Sequence, residues 1–406
     1  MIGSQPTSAC PARWRCEAIG KVAPVKQARF PDGEAVAWNL SLEDIEPHTG
    51  RVLNRRFFKV SELGSSKCAF DCSNVLYSKL RPYLNKVVVP DSPGVGTSEL
   101  IPLRPDPEKL DRVFLAFYLR SPAFLEFATQ HMQGANLPRV AMDDFWKCPV
   151  PLPALAEQRR IVARITECFD RIDEIETLKS ASTNEAAATL PSVLEASFEE
   201  IGFSHRAVSI GDIAIDTRYG TSIKCSHAPA GVAVLRIPNV AKGSVDLTDL
   251  KFCDLDSSAL RRLSLSTGDI LFVRTNGSPD LVGRSAVFES PGDGQSYSFA
   301  SYLIRIRLDQ SRVLPQFAAY FLNSSRGREE IRSRRRTSAG QFNINSENLK
   351  TISFPLPPIS EQRSLLEVFE NAERSTKQLA DTLRSAEGEL KLLRASVLHR
   401  AFKGEL

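Results

Sequence analysis

Much of the chemistry that would mark this chain as an enzyme is missing. It contains no G-x4-GK[ST] loop to cradle a nucleoside triphosphate. It also lacks the Asn/Asp-Pro-Pro-aromatic signature of amino-methyltransferases. No PD is followed at suitable distance by (E/D)xK, as nuclease centres require, and neither H-E-x-x-H nor G-x-S-x-G occurs. The paired acids Asp143-Asp144 and Glu199-Glu200 read as solvated surface, not catalytic dyads. No apolar run approaches the roughly 18 residues needed to span a bilayer. The opening MIGSQPTSACPARW lacks the basic-then-apolar pattern of a secretory signal, so a cytoplasmic protein is expected. None of the eight cysteines forms a CxxC. Cys68 and Cys72 make a C-x3-C pair, but no second pair follows at zinc-finger spacing. No metal site is expected, and the cysteines are read as reduced, mostly buried thiols.

What remains is an ordinary globular composition over 406 residues, enough for two to four domains. The formal net charge of +4 permits a polyanionic partner without demanding one.

The informative feature is a repeat. PLPALAEQR at 151–159 returns as PLPPISEQR at 355–363, and SVLEASF at 192–198 returns as SVLHRAF at 396–402. Both pairs stand 204 residues apart, from Pro151 to Pro355 and from Ser192 to Ser396, so nothing is gained or lost between them. A helix of fixed length explains that constancy, because an insertion would rotate every later side chain. Upstream, NVLYSKLRPYL (74–84) aligns with DILFVRTNGSP (269–279), and TSELIPLRP (97–105) with ASYLIRIRLD (300–309). LAFYLRS (115–121) aligns with FAAYFLNSS (317–325), and GANLPRVAMDDFWKCPVPLP (134–153) with SAGQFNINSENLKTISFPLP (338–357). The order is therefore globule, helix, globule, helix.

In the second helix, Leu365, Phe369, Ala372, Thr376, Leu379, Leu383, Ala386, Leu390, Leu393 and Val397 step by four and three, the spacing of a coiled-coil seam. The first keeps that spacing at Ile161, Ile165, Cys168, Ile172 and Ile175, weakens at Lys179 and Ser182, recovers at Ala186 and ends with Val193. Pro191 is expected to kink or break it. Seams this long exceed one small globule, so the two helices are expected to pack antiparallel on each other. The prolines bar each helix from running backwards, placing Glu157 and Glu361 in first turns where the helix dipole favours acid. Only Ser360 offers a hydroxyl cap; the first copy has Ala156. Capping therefore does not explain why both copies keep Glu-Gln-Arg, and a partner-docking surface at Glu157, Gln158, Arg159, Glu361, Gln362 and Arg363 is a live alternative.

Taken together, the doubled PLP-x-x-x-EQR, SAGQFNINSENLKTI, GDILFVR and the closing LLRASVLHRAFKGEL resemble the specificity subunit of type I restriction–modification enzymes. The resemblance covers essentially the whole chain, although GANLPRVAMDDF departs from the family-like SAGQFNINSENL. It implies an α+β fold: two pseudo-symmetric mixed α/β target-recognition domains joined by two long antiparallel coiled-coil helices. The expected boundaries are 1–150 and 203–354 for the globules, and 151–202 and 355–406 for the helical regions. It further implies a non-catalytic subunit. Each globule would bind one half of a split double-stranded DNA site, and the helices would set the spacer and dock two methyltransferase subunits. Those recruit ATP-dependent restriction subunits, so S-adenosylmethionine, ATP and Mg2+ would be used on partner chains and no cofactor on this one. Membrane partners are not expected. A methylation-only system, and a coiled-coil scaffold whose globules bind protein, are the alternatives.

Within the second globule, RSRRRTSAGQFN (332–343) is the densest basic stretch. Arg334, Arg335 and Arg336 suit phosphate or guanine, while Gln341 and Asn343 suit adenine edges. RTNGSPDLVGR adds Arg274 and Arg284 around turn chemistry, and RYGTSIK adds Arg218 and Lys224. The first globule offers YSKLRPYLNK, where Lys79, Arg81 and Lys86 interleave with Tyr77 and Tyr83. A half-exposed strand would produce the same mix. Arg139, aligned with Asn343, is a weaker candidate.

Overall fold

The computed structural model describes residues 13–64, 67–338 and 340–406. Short runs of β-branched and aromatic residues form the strands. Helices occupy the stretches with three-to-four periodicity. The chain divides into two units: one holds residues up to Ser180 together with Arg384–Leu406, and the other holds Ala181–Leu383. Each unit thus contains one globule, the start of the helix that follows it, and the end of the other helix.

In the first unit the strand Val75–Ser78 lies between Val87–Val88 and Leu100–Leu103, both antiparallel, with Val75 opposite Leu103. A second sheet sets Val36–Leu40 between Arg56–Lys59, antiparallel, and Gly94–Thr97, parallel; Lys67–Phe70 completes it. The second unit repeats the plan. Ile270–Val273 pairs antiparallel with Leu303–Leu308, Ile270 opposite Ile306. Val232–Leu235 lies between antiparallel Lys251–Cys253 and parallel Tyr297–Phe299. The pairings Val75–Leu103 and Ile270–Ile306 match the sequence alignment of 74–84 with 269–279 and of 97–105 with 300–309. Each globule opens on a strand antiparallel to its proline segment: Cys16 lies opposite Pro151, and Ala207 opposite Pro355.

The two long helices run from Leu155 to Ser204 and from Ile359 to Lys403. Inside the first unit they are antiparallel. Arg160 Nη2 donates to the carbonyl of Leu406 at 2.6 Å, and Arg394 donates to Asp173 and to Glu176. Inside the second unit the direction is the same: Thr376 Oγ1 donates to the carbonyl of Ala186 at 3.3 Å, and His205 Nε2 faces Glu361 at 3.3 Å. The helix ends are part of the globular cores. Phe402 lies 5.2 Å from Phe114 and 5.4 Å from Tyr118, while Phe198 lies 5.5 Å from Phe317 and 5.1 Å from Phe321.

Three expectations need correction. Pro191 neither ends nor interrupts the helix. Leu190, Val193, Leu194, Phe198 and Ile201 on either side of it pack into the second unit's core, and that burial outweighs one lost backbone hydrogen bond. Ile175, Leu379 and Leu393 are exposed, not in the seam. Where Ile175 was expected to pack, Arg394 instead spans Asp173 and Glu176 with its guanidinium 5.2 Å from the Phe169 ring. Finally, the thiols are not all reduced: Cys16 is disulfide-bonded, while the other six described cysteines are free, three of them buried.

Candidate nucleic-acid interface

One backbone junction organises each globule. In the first unit, Lys79 donates its N–H to the carbonyl of Glu99 at 3.0 Å and receives the N–H of Val140 on its own carbonyl at 3.0 Å. In the second, Arg274 donates to the carbonyl of Tyr302 at 2.8 Å and receives the N–H of Ile344 at 2.9 Å. Leu80 faces Arg139 in the first junction as Thr275 faces Asn343 in the second. Three segments far apart in sequence therefore converge: the end of a core strand, the turn before its neighbour, and the strand that precedes the last short helix.

In the second unit this convergence gathers most of the predicted residues. Thr275–Asn276, Gln341–Asn343 and Arg336–Ser338 form a three-stranded sheet with Gln341–Asn343 in the centre. Arg274 stacks 4.8 Å from the Tyr219 ring, and Tyr219 Oη donates to Ser346 Oγ at 3.1 Å, which draws in the RYGTSIK segment. Arg218 is exposed beside Asp216 at 3.0 Å. Lys224 lines an open recess of about 490 Å³ with Arg236, Lys251, Thr221, Ser301 and Tyr302. Arg336 and Gln341 are exposed and Asn343 is half-buried.

Other predicted arginines are engaged. Arg335 donates to the carbonyl of Pro279 at 2.8 Å and lies 5.1 Å from the Phe342 ring. Arg334 faces Glu330 at 2.8 Å and donates to Thr351 Oγ1 at 2.9 Å, so it ties a helix end to its neighbour. Arg284 is not in the cluster. It lines a separate recess of about 580 Å³ with Leu194 and Tyr320.

The first unit assembles a smaller set. Arg81 is exposed with a left-handed backbone (φ 49°), its N–H held by the carbonyl of Pro138 at 2.7 Å. Arg139 clasps Glu99: Nη2 reaches Oε1 at 2.7 Å and Nε reaches Oε2 at 3.0 Å. That hydrogen bond, helped by the charges of Arg139 and Lys79, outweighs partial burial and holds the Glu99 carboxyl below the usual carboxylate range. Lys86 turns inward and donates to the carbonyl of Leu42 at 2.5 Å, and burial lowers its pKa. Tyr77 is core, stacked 5.0 Å from Phe145. The basic–aromatic alternation of YSKLRPYLNK is thus split between the inside and outside of one strand turn. Glu99 and Tyr302 escaped sequence reasoning, because only the junction places them beside the basic residues. The alignment of 97–105 with 300–309 carried the available signal, since it sets Glu99 against Tyr302.

The Glu-Gln-Arg triplets are divided in the same way. Gln158 and Gln362 are fully buried and do not present a docking surface. Gln158 Nε2 donates to the carbonyls of Pro153 and Lys109, both at 2.8 Å, and Oε1 accepts the N–H of Asp111 at 2.8 Å. Gln362 Nε2 donates to Pro357 at 2.8 Å and Arg312 at 3.0 Å, and Oε1 accepts from Leu314 at 2.8 Å. Glu157 pairs with Arg160 at 2.8 Å and Glu361 faces His205. Arg159 and Arg363 are exposed.

Residues 65–183 match the type I restriction modification DNA specificity domain. Over 317 residues the chain is 28% identical to the type I restriction enzyme StySPI specificity subunit of Salmonella potsdam, covering 74% of this chain and 67% of that one. It is 27% identical over 320 residues to the EcoKI specificity subunit of Escherichia coli strain K12, with the same two shares. The fold matches the HsdS subunit from Thermoanaerobacter tengcongensis with a TM-score of 0.66 and 21% identity over 98% of each chain. A further chain, from work on complex assembly and conformational transition of the type I R-M system, matches with a TM-score of 0.77 at 21% identity, covering 98% and 99%. The chain is thus similar over most of its length to type I restriction–modification specificity subunits, and residues 65–183 match their DNA specificity domain. Among the described residues, no helix is long and apolar enough to cross a membrane.

Proposed function

We propose that this subunit is the non-catalytic reader of a bipartite DNA site, each globule binding one half through its junction. The observation that carries this reading is the repeated junction, which gathers Lys79, Arg81 and Arg139 in one unit and Arg218, Arg274, Arg336, Gln341 and Asn343 in the other. Cationic side chains there neutralise phosphates, and forked or amide side chains address base edges. The paired helices set the spacing between half-sites. Arg159 and Arg363 at the helix starts dock two methyltransferase subunits. Methyl transfer from S-adenosylmethionine, and any ATP- and Mg2+-dependent restriction, take place on partner chains in the cytoplasm. The test is to reconstitute the subunit with its methyltransferase partners and map modified bases genome-wide. A split motif is expected; a complex that modifies none rejects the reading. Reversing charge at Arg159 and Arg363 together is expected to weaken methyltransferase assembly while leaving the thermal midpoint unchanged.

A further inference from the structure

Arg139 is held along one edge by a carboxylate through two hydrogen bonds. A guanidinium has five N–H donors in a flat fork. Glu99 takes the Nε/Nη2 edge, with contacts of 3.0 and 2.7 Å, and one Nη1 donor goes to the carbonyl of Leu137 at 3.2 Å. Two donors are left, one on each terminal nitrogen. The Arg139 side chain is 42% exposed and that of Glu99 is 20% exposed, so the arginine is the more open of the pair. Both residues are held by backbone structure. Glu99 occupies the two-residue turn between Gly94–Thr97 and Leu100–Leu103. Arg139 opens the strand Arg139–Val140, pinned to Lys79 by the Val140 N–H.

A guanidinium held in place with a donor left on each terminal nitrogen suits the O6 and N7 acceptors of guanine in the major groove, the pair an arginine reads in bidentate fashion. A phosphate contact would not need such bracing, because a flexible cation suffices to neutralise charge. The equivalent position in the other unit carries Asn343, whose amide matches adenine. Tyr302 stands where Glu99 would, so the brace is absent where the arginine is absent.

Resting on the proposed bipartite DNA recognition, we infer that Arg139 reads a guanine in the half-site bound by the first unit, and that Glu99 is its positioning residue. The experiment uses the complete subunit assembled with its methyltransferase partners and maps modified sites by single-molecule sequencing. The variants are Arg139→Ala, Arg139→Lys, Glu99→Gln and Asn343→Ala. The wild-type complex is expected to give a split motif with a required guanine in one half. Arg139→Ala and Arg139→Lys lower the preference for that guanine at least about tenfold, leaving the other half intact. Glu99→Gln relaxes the same position by a smaller factor, an effect on base choice that a merely structural ion pair would not produce. Asn343→Ala alters only the other half. Arg139→Lys keeps the charge and serves if the alanine variant fails to assemble. An unchanged motif in both Arg139 variants overturns the inference. So does uniformly weaker modification at an unchanged motif, which would make Arg139 a phosphate contact. A wild-type complex with no split motif would instead overturn the underlying reading, and the inference with it.

Discussion

Gln158 and Gln362, 204 positions apart, make the same three hydrogen bonds. Each donates to a proline carbonyl five residues back and to a carbonyl of the globule, and each accepts one N–H from the start of a globular helix. The proline segment cannot donate from its own nitrogens, yet its carbonyls still need partners once buried. The glutamine supplies the partner, and it locks the helix to the globule at a fixed angle.

Replacing either glutamine with alanine strands buried donors and acceptors. Each substitution is expected to cost about 2–4 kcal/mol, read as a lowered urea midpoint of the unit concerned. Arg159→Ala, on the surface a residue away, should stay within about 0.5 kcal/mol. Equal effects at Gln158 and Arg159 would contradict this division of labour.

Pro191 is exposed in the middle of a continuous helix, where it removes one backbone hydrogen bond. Pro191→Ala is expected to stabilise the second unit by about 1–3 kcal/mol, visible as a higher thermal midpoint. A lower midpoint would mean that the ring's own packing matters more than the missing bond.

The Glu99 carboxyl titrates below its ordinary range because Arg139 hydrogen-bonds it, with help from the nearby charges. A folded-state pKa below the unfolded one contributes stability that is complete above the unfolded value and disappears as pH falls through the folded one. Below about pH 5 the wild type should therefore lose thermal stability more steeply than Glu99→Gln. Parallel pH profiles for the two proteins would show that the ion pair has no weight.

Arg336 is exposed, whereas Arg334 is tied to Glu330 and Thr351. Arg336→Ala should weaken DNA binding by a similar factor on cognate and unrelated sequences. The slope of log affinity against log salt should fall in magnitude by about 1. Arg334→Ala should instead act mainly on the thermal midpoint. A salt slope unchanged by Arg336→Ala would remove it from the interface.

A good part of the architecture was legible because it is periodic or repeated. The alignment of Val75 with Ile270 and of Leu103 with Ile306 predicted matching strand pairs, and both pairs form. The helix starts followed from the prolines. The seam was read well where it is buried in a globular core, at Ile161, Ile165 and Phe369, and misread at Ile175, Leu379 and Leu393, because a heptad pattern does not say where a charged clamp such as Arg394 replaces apolar packing. Among the basic residues, composition could not separate Lys86, which turns inward to Leu42, from Arg81, which stays outside.

Sequence alone determined the doubled plan, the place where each helix starts and which strands correspond, since these depend on local conformational preference and on a period that repeats. The tertiary structure decided the fate of each polar side chain. The buried glutamines, the braced Arg139 and the Arg274–Tyr219 stack each join segments 40 or more positions apart. Whether a side chain is consumed inside the fold or left for a partner depends on which distant backbone arrives beside it, and no local pattern records that.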